Sequence, residues 1–199
     1  MKPLSLFVKA FGPYTNILNI NFESLENNNI FLISGPTGAG KTAILDAISF
    51  ALYCRSTGGL RSFRDMRSAT ASNGEDTVLE FEFYLKNKKY KFIRKLRSHK
   101  VRGQDRFELR DEHECYEFKE DSYCLIHSGS EAKIRAYAEE IIGLDSEEFS
   151  KVIILPQGEF KKLLLANSRE KYKIFERLFK TDKWSHITEY IQNNKNYKR

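Results

Sequence analysis

The eight residues Gly35-Pro36-Thr37-Gly38-Ala39-Gly40-Lys41-Thr42 fit the pattern G-x-x-x-x-G-K-[ST], which restricts the fold more tightly than any other stretch of the chain. A loop of this composition turns backbone amides inward to form a nest for phosphate oxygens. It needs a strand before it and a helix after it, so that the helix N-terminus faces the same anion. The flanks agree with that demand. Asn29-Ile30-Phe31-Leu32-Ile33-Ser34 has the make-up of a short buried strand, and residues 43–53 carry apolar side chains at helical spacing. In such a loop Lys41 sets a point charge against the outer phosphates, and the Thr42 hydroxyl suits a magnesium ligand.

The organisation around the loop is α/β. Leu4, Leu6, Val8 and Ala10 alternate along one face of a first strand, Phe11-Gly12-Pro13-Tyr14 turns the chain, and a second strand is expected over residues 17–22. Residues 55–76 are polar and expected to be irregular. Residues 77–85 and 89–96 form an expected antiparallel hairpin turning at Lys86-Asn87-Lys88, with residues 107–109 and 116–118 extending that sheet. The second half becomes helical. Residues 130–142 carry apolar side chains at helical intervals and stop at Gly143. Asp145-Ser146-Glu147-Glu148 then has the spacing of a capping box. Residues 141–145 superficially resemble an apolar strand ending in a metal-binding aspartate, but the glycine and the capping box make a helix-to-helix joint, so Asp145 is not assigned to a metal.

Composition adds bounds. At 199 residues with 41% hydrophobic content the chain can bury a core of its own. Its net charge of +6 is unevenly spread: residues 86–106 hold ten Lys or Arg and one acidic residue, which leaves the remainder slightly acidic. Two readings of this run stand side by side. It is a basic stripe for a polyanion such as duplex DNA, or a solvated hairpin whose apolar residues, Tyr90, Phe92, Ile93, Leu96 and Val101, face inward. Cys54, Cys115 and Cys124 are odd in number with no C-x-x-C pair, which argues for a reducing compartment and against a structural zinc site. The N-terminal residues lack the apolar stretch of a secretory signal, and no run reaches the length of a membrane span. A cytoplasmic protein with no membrane partner is expected.

Val152-Ile153-Ile154-Leu155 has the composition of another buried strand and runs directly into Pro156-Gln157-Gly158-Glu159-Phe160. A glutamine in a loop after such a strand can ligate a metal and a water while staying uncharged. Together with Phe11-Gly12-Pro13-Tyr14, the loop of residues 35–42, Leu45-Asp46-Ala47-Ile48, Met66-Arg67-Ser68 and Leu163-Leu164-Leu165-Ala166, this segment closely resembles the N-terminal part of the bacterial SbcC family. The resemblance runs from Leu4 to about Trp184. SbcC proteins are ATPase subunits of a nuclease complex, related to the structural-maintenance-of-chromosomes (SMC) ATPases.

The resemblance implies an ABC/SMC-type P-loop ATPase head, N-terminal lobe, with an antiparallel β subdomain and a helical segment leading to a truncated coiled coil. The lobe would occupy residues 1–166, with Walker A at 35–42 and the Q-loop at 155–160, and residues 167–199 would lead into the root of the coil. ATP and Mg2+ are the implied ligands. Gly35, Pro36, Thr37, Gly38, Ala39, Gly40, Lys41, Thr42 and Ala43 would surround the nucleotide, Lys41 and Gln157 would act in catalysis, and Thr42 and Gln157 would hold the metal. Asp46 has no catalytic role, and Gly12 stands where archaeal relatives place a basic residue. The implied partners are the C-terminal half of the same ATPase, a second ATPase head, an SbcD-type metallophosphoesterase nuclease and double-stranded DNA. The family's aspartate-glutamate pair, Ser-Gly-Gly signature, downstream histidine and C-x-x-C zinc hook are not in this sequence, so a fragment that binds ATP and hardly hydrolyses it is expected. The alternative reading is an ABC/SMC- or RecF-like DNA clamp ATPase fragment with no nuclease partner.

Overall fold

Period-two alternation of apolar side chains builds the sheet from its first strand onward. Strand β1 (Lys2–Lys9) buries Leu4, Leu6 and Val8 and leaves Ser5, Phe7 and Lys9 half-exposed. Five more strands follow: β2 (Leu18–Asn21), β3 (Thr77–Leu85), β4 (Lys88–Lys100), β5 (Phe107–Lys119) and β6 (Ser122–Ser128). All pair antiparallel in one sheet of order β2-β1-β3-β4-β5-β6. The helices are α1 (Lys41–Tyr53), α2 (Glu131–Ile142) and the short α3 (Ser146–Phe149). The computed structural model describes residues 1–24, 32–58 and 61–150, with residues 167–168 and 190–191 beyond them. The chain divides into two units, Met1–Ser150 and Lys151–Arg199. In the second, Tyr190 and Ile191 are helical and exposed.

Helices α1 and α2 cover the same face of the sheet, α1 on β3 and β4 and α2 on β5 and β6. The α/β class with an antiparallel β subdomain is thus the observed one. The covered face carries Leu79, Phe81 and Phe83 of β3 and Phe92 and Leu96 of β4, all fully buried. Phe83 lies 5.8 Å from Phe92 within the sheet, and Phe92 stacks on Tyr137 of α2 at 6.3 Å, joining the layers. Phe50 of α1 meets Phe11 at 5.7 Å and Phe63 at 5.9 Å. Fully burying such side chains stabilises a fold by about 1.5–3 kcal/mol each.

One polar residue interrupts this face. Arg94 occupies the inward slot between Phe92 and Leu96 and is fully buried. Its Nε donates to the Ala51 carbonyl at 2.9 Å and its Nη2 to the Leu52 carbonyl at 2.7 Å, so the guanidinium caps the last turn of α1. Helix ends leave such carbonyls without intrahelical partners, and a cation there also meets the negative end of the helix dipole. Burial pushes the Arg94 guanidinium below its ordinary range. Directly across the ladder on β5 sits His113, also buried. Tyr53 completes the end of α1 by donating from its hydroxyl to the Leu144 carbonyl at 3.0 Å and packing 5.2 Å from Phe149.

Local chemistry sets the connections. Lys86 and Asn87 adopt φ of 50° and 64°, and Glu120 and Asp121 adopt 48° and 60°. Both pairs therefore form two-residue hairpin turns whose twist matches that of the strands. The expected hairpin turns at Lys86 and Asn87, and Lys88 already belongs to β4. Helix α2 starts at a Ser130 cap and stops at Gly143 with φ of 80°. The capping box at Asp145 and Glu148 is present with both reciprocal bonds. Asp145 Oδ1 accepts from the Glu147 and Glu148 amides at 2.8 Å each, so its carboxylate is committed to the helix-to-helix joint.

Three expectations change. The two short pieces at 107–109 and 116–118 are one 13-residue strand, because the charged residues between them pair across the ladder. Strand β6 has no counterpart among the elements expected from the sequence. The buried strand expected over residues 29–34 is not seen at residues 32–34, which have no regular structure, and Leu32 is 87% exposed. A strand with so many apolar residues needs cover on both faces, and the six-stranded sheet of the described residues contains no neighbour for it. Residues 29–31, the strand expected at 152–155, Gln157 and the apolar face expected at Trp184 and Ile187 lie outside the described residues. No helix among the described residues is long and apolar enough to cross a membrane. Cys54 and Cys115 are buried free thiols, and Cys124 is exposed.

Replacing Arg94 with Met is expected to lower unfolding stability by about 2–4 kcal/mol, because two buried carbonyls lose charge-assisted bonds. Urea denaturation checks this. A pH effect accompanies it. Burial, then the neighbouring Arg94 charge, push the His113 imidazole down to about 4, with Asp111 opposing. A base that binds protons better when unfolded adds full stability above its unfolded pKa and loses it as pH falls toward the folded value. The urea midpoint should therefore fall from pH 7 to pH 5, by roughly 1–2 kcal/mol in stability, and His113→Gln should flatten that slope.

Candidate functional site

The phosphate-loop residues lie at the N-terminal end of α1, where the sequence requires them. Gly38 and Gly40 have φ of 85° and 88°, a left-handed conformation that side chains rarely adopt. A Cβ on Gly40 would also lie 2.7 Å from Pro13 Cγ and 2.9 Å from the Tyr14 hydroxyl. This close approach leaves room only for glycine. Lys41 folds back over the loop, its ammonium donating to the Gly35 and Pro36 carbonyls at 2.7 Å each. The loop thus curls into a ring around the head of its own lysine. Residues 35–39 and Thr42 are exposed, which leaves the ring and the threonine hydroxyl open to a ligand.

The electrostatics of this helix end favour an anion. Gly40 is the N-cap of α1 and offers no side-chain cap, and the first turn contains no acidic residue. The Lys41 and Thr42 amides belong to the first turn, whose N–H groups have no intrahelical acceptors. The helix dipole adds partial positive charge at the same point. Ala43 differs from its neighbours: it is buried, and its amide donates to the Gly40 carbonyl at 2.8 Å. Uncapped amides, left-handed glycines and a lysine in the ring make a donor set that fits phosphate oxygens. The Thr42 hydroxyl fits a hard cation beside them.

Two segments far apart in sequence hold the ring in place. The turn at residues 11–14 is closed by reciprocal bonds between Phe11 and Tyr14, at 2.9 and 3.0 Å. Its Tyr14 hydroxyl donates to the Gly40 carbonyl at 3.0 Å. Behind it runs the Met66-Arg67-Ser68 segment: the Gly12 amide donates to Met66 at 2.6 Å and the Ser68 amide to Ala10 at 2.9 Å. Arg67 reaches away from the loop, to the Thr77 hydroxyl at 2.9 Å and the Ser72 carbonyl at 2.7 Å. It fastens the irregular stretch to β3. Asp46 is buried on α1, and its Oδ1 accepts from the Thr57 amide at 2.9 Å and hydroxyl at 2.7 Å. That bond ties down the chain after the helix.

Seven of the ten Lys and Arg in residues 86–106 form ion pairs. Lys88 meets Glu117 at 2.9 Å, Lys91 and Lys89 share Glu82 at 2.6 and 3.3 Å, and Lys95 lies 3.9 Å from Glu114. Arg97 bridges Asp76 and Glu112 at 2.8 and 3.0 Å. Lys100 and Arg106 pair with Asp105 and Glu108. Arg94 is buried against α1. These pairs fit the hairpin reading, since their carboxylates come from β3, β5 and the loops. Sequence reasoning missed Tyr14 and Pro13 as neighbours of Gly40, because a turn motif does not say what the turn covers. It missed Arg94 as well, although an arginine in phase with Tyr90, Phe92 and Leu96 is a legible signal.

The fold and this helix end together define a phosphate-loop domain. The chain belongs to the AAA domain family, whose model matches residues 5–198. Within that range it is similar to the N-terminal region of proteins named as the SbcC subunit of the nuclease SbcCD. The SbcC protein of Staphylococcus saprophyticus is 36% identical over 204 residues, which cover 98% of this chain and 19% of that protein. Those of Vibrio cholerae and Staphylococcus aureus are 39% and 37% identical, over 94% and 96% of this chain and 19% of each protein. The chain thus spans about a fifth of the length of these curated relatives. Among solved structures, the SMC head domain from Thermotoga maritima aligns with a TM-score of 0.37 at 18% identity, covering 69% of this chain and 42% of that one.

If the chain binds duplex DNA, replacing Lys88, Lys91 and Lys95 together with Gln should leave the salt dependence of that binding unchanged, because these charges already face carboxylates. A fall in the slope of log K against log salt by about 0.9 per lysine would place the run on the phosphate backbone instead.

Proposed function

We propose that this chain is the ATP-binding N-terminal half of an SbcC-type ATPase, an ABC/SMC-type head whose engagement with a second head controls DNA access to a partner nuclease. The carrying observation is the uncapped N-terminus of α1 beneath a ring of loop backbone with Lys41 folded into it. The named relatives supply the setting, a nuclease of which they are one subunit. In this reading residues 1–166 form the nucleotide-binding lobe and residues 167–199 lead toward a coiled coil. The chain works in the cytoplasm with the C-terminal half of the same ATPase, a second head, an SbcD-type metallophosphoesterase and double-stranded DNA.

The site residues act mainly by position and charge, which is what phosphoryl transfer asks of a protein. Gly35, Pro36, Thr37, Gly38, Ala39 and Gly40 carry the backbone around the phosphates. Lys41 exchanges its two loop carbonyls for phosphate oxygens, and the Lys41 and Thr42 amides donate from the helix end. Ala43 supports the ring from beneath, through its bond to Gly40. Thr42 and Gln157 would hold magnesium, which would supply charge neutralisation for the bound phosphates. The uncharged amide of Gln157 would also suit a water ligand. A general base and a trans-acting signature come from the completing half, so this half binds and does not turn over.

Calorimetry on the chain of residues 1–199 is expected to detect MgATP binding that Lys41→Ala weakens at least ten-fold, with hydrolysis at background. Steady turnover that disappears in Lys41→Ala would overturn the half-site reading. No binding in either protein would overturn the nucleotide site itself. Copurification with a metallophosphoesterase separates the nuclease assembly from a clamp ATPase that works without one.

A further inference from the structure

The turn at residues 11–14 sits over the loop without belonging to the G-x-x-x-x-G-K-[ST] pattern. We infer that Tyr14 is a positioning residue for the phosphate nest, acting through the Gly40–Lys41 peptide group; this rests on the nucleotide-binding reading above. The Tyr14 hydroxyl donates to the Gly40 carbonyl at 3.0 Å, and the Ala43 amide donates to the same oxygen at 2.8 Å. Two donors fix the direction of that carbonyl. A trans peptide is planar, with its N–H antiparallel to its C=O. Holding the Gly40 oxygen toward Tyr14 and the helix therefore turns the Lys41 N–H the opposite way, out of the N-terminal end of α1 toward the ring.

Packing reinforces the hydrogen bond. Gly40 stands against Pro13 and the Tyr14 ring so closely that a Cβ would collide with both, and its φ of 88° is the conformation that this contact holds. Burial raises the Tyr14 phenol above its ordinary range, so the hydroxyl remains a donor throughout the neutral pH range. The turn is itself anchored at its back, through Gly12 to Met66 and Phe11 to Arg67. Tyr14 thus transmits the position of the 66–68 segment to the amide that meets phosphate. A residue acting this way is read by the phosphate chain and is blind to base and sugar.

Tyr14→Phe keeps the ring and removes the hydroxyl. In the chain of residues 1–199, calorimetric titration with ATP, GTP and inorganic tripolyphosphate should show the same loss for all three, about five-fold, which corresponds to one neutral hydrogen bond. The thermal midpoint of the ligand-free protein should move by less than the midpoint of the protein saturated with tripolyphosphate. Equal affinity in Tyr14→Phe and the parent, with the parent still binding, overturns the role of Tyr14 and leaves the nucleotide site standing. Loss for ATP but not for tripolyphosphate overturns it in favour of a nucleoside contact. A large fall in the ligand-free midpoint with affinities intact makes the bond structural only. If neither the parent nor Lys41→Ala binds any of the three, the nucleotide-binding reading fails, and this inference with it.

Discussion

The buried guanidinium of Arg94 on the last carbonyls of α1 is the contact around which the sheet and the helix are assembled. Taking a cation out of water is costly, and an interior charge normally needs a carboxylate beside it. Arg94 has instead the Ala51 and Leu52 oxygens and the negative end of a 13-residue helix. The compensation is therefore geometric: it exists only when α1 lies across β4 with its C-terminus at the centre of the covered face. A hydrophobic residue in the same slot would tolerate a sliding helix. The charge does not, and it sets which end of the helix is held and which end is left open.

The open end follows from the closed one. Over 13 residues α1 extends about 20 Å, so anchoring its C-terminus to β4 carries its N-terminus out beyond the buried core to the exposed loop. There the same dipole that stabilises Arg94 presents its positive end, with no acidic side chain and no capping hydroxyl to satisfy it. Charge is thus arranged in one direction along the helix, a cation at the tail and uncapped amides at the head. A Ser or Asp at position 40 could not act as an ordinary cap, because its Cβ would meet Pro13 and Tyr14 and the left-handed φ of 88° is not that of a capping residue. Gly40 therefore leaves the helix end without a side-chain cap, and the Pro13 and Tyr14 contacts hold its conformation.

Legibility follows the range of the interactions. Short-range signals are readable: the alternation in β1, the two-residue turn at Lys86 and Asn87, the Ser130 and Gly143 ends of α2 and the capping box at Asp145 each depend on residues close to one another in the chain. The phosphate loop is readable for the same reason, since its ring is built from consecutive residues. What stays hidden is long-range. The charged middle of β5 does not look like a strand because its partners lie on β4 and in the loops, so residues such as Glu112 and Glu114 make sense only beside Arg97 and Lys95. The basic run is ambiguous for the same reason. Counting charges along the chain cannot show that the opposing carboxylates come from other segments. Tyr14 is legible as part of a turn, but its partner is 26 residues away.

These long-range contacts converge on α1. Its tail is held by β4 through Arg94, its middle by Thr57 through Asp46, and its head by the β1–β2 turn through Tyr14. The turn in turn leans on residues 66–68, which Arg67 secures to Thr77 at the start of β3. Each of these attachments leads back to the sheet or to loops that the sheet fixes. Rigidity of this kind has a consequence for the chemistry. The anchors fix the helix at its head, middle and tail, so the place of the loop is set by the same contacts that set the helix on the sheet. Conversely, ligand binding that displaces Lys41 from the Gly35 and Pro36 carbonyls alters the ring without disturbing the anchors. In the proposed reading the site would tighten on phosphate locally while its attachments to the sheet stay in place, as a half-site completed by other residues would require.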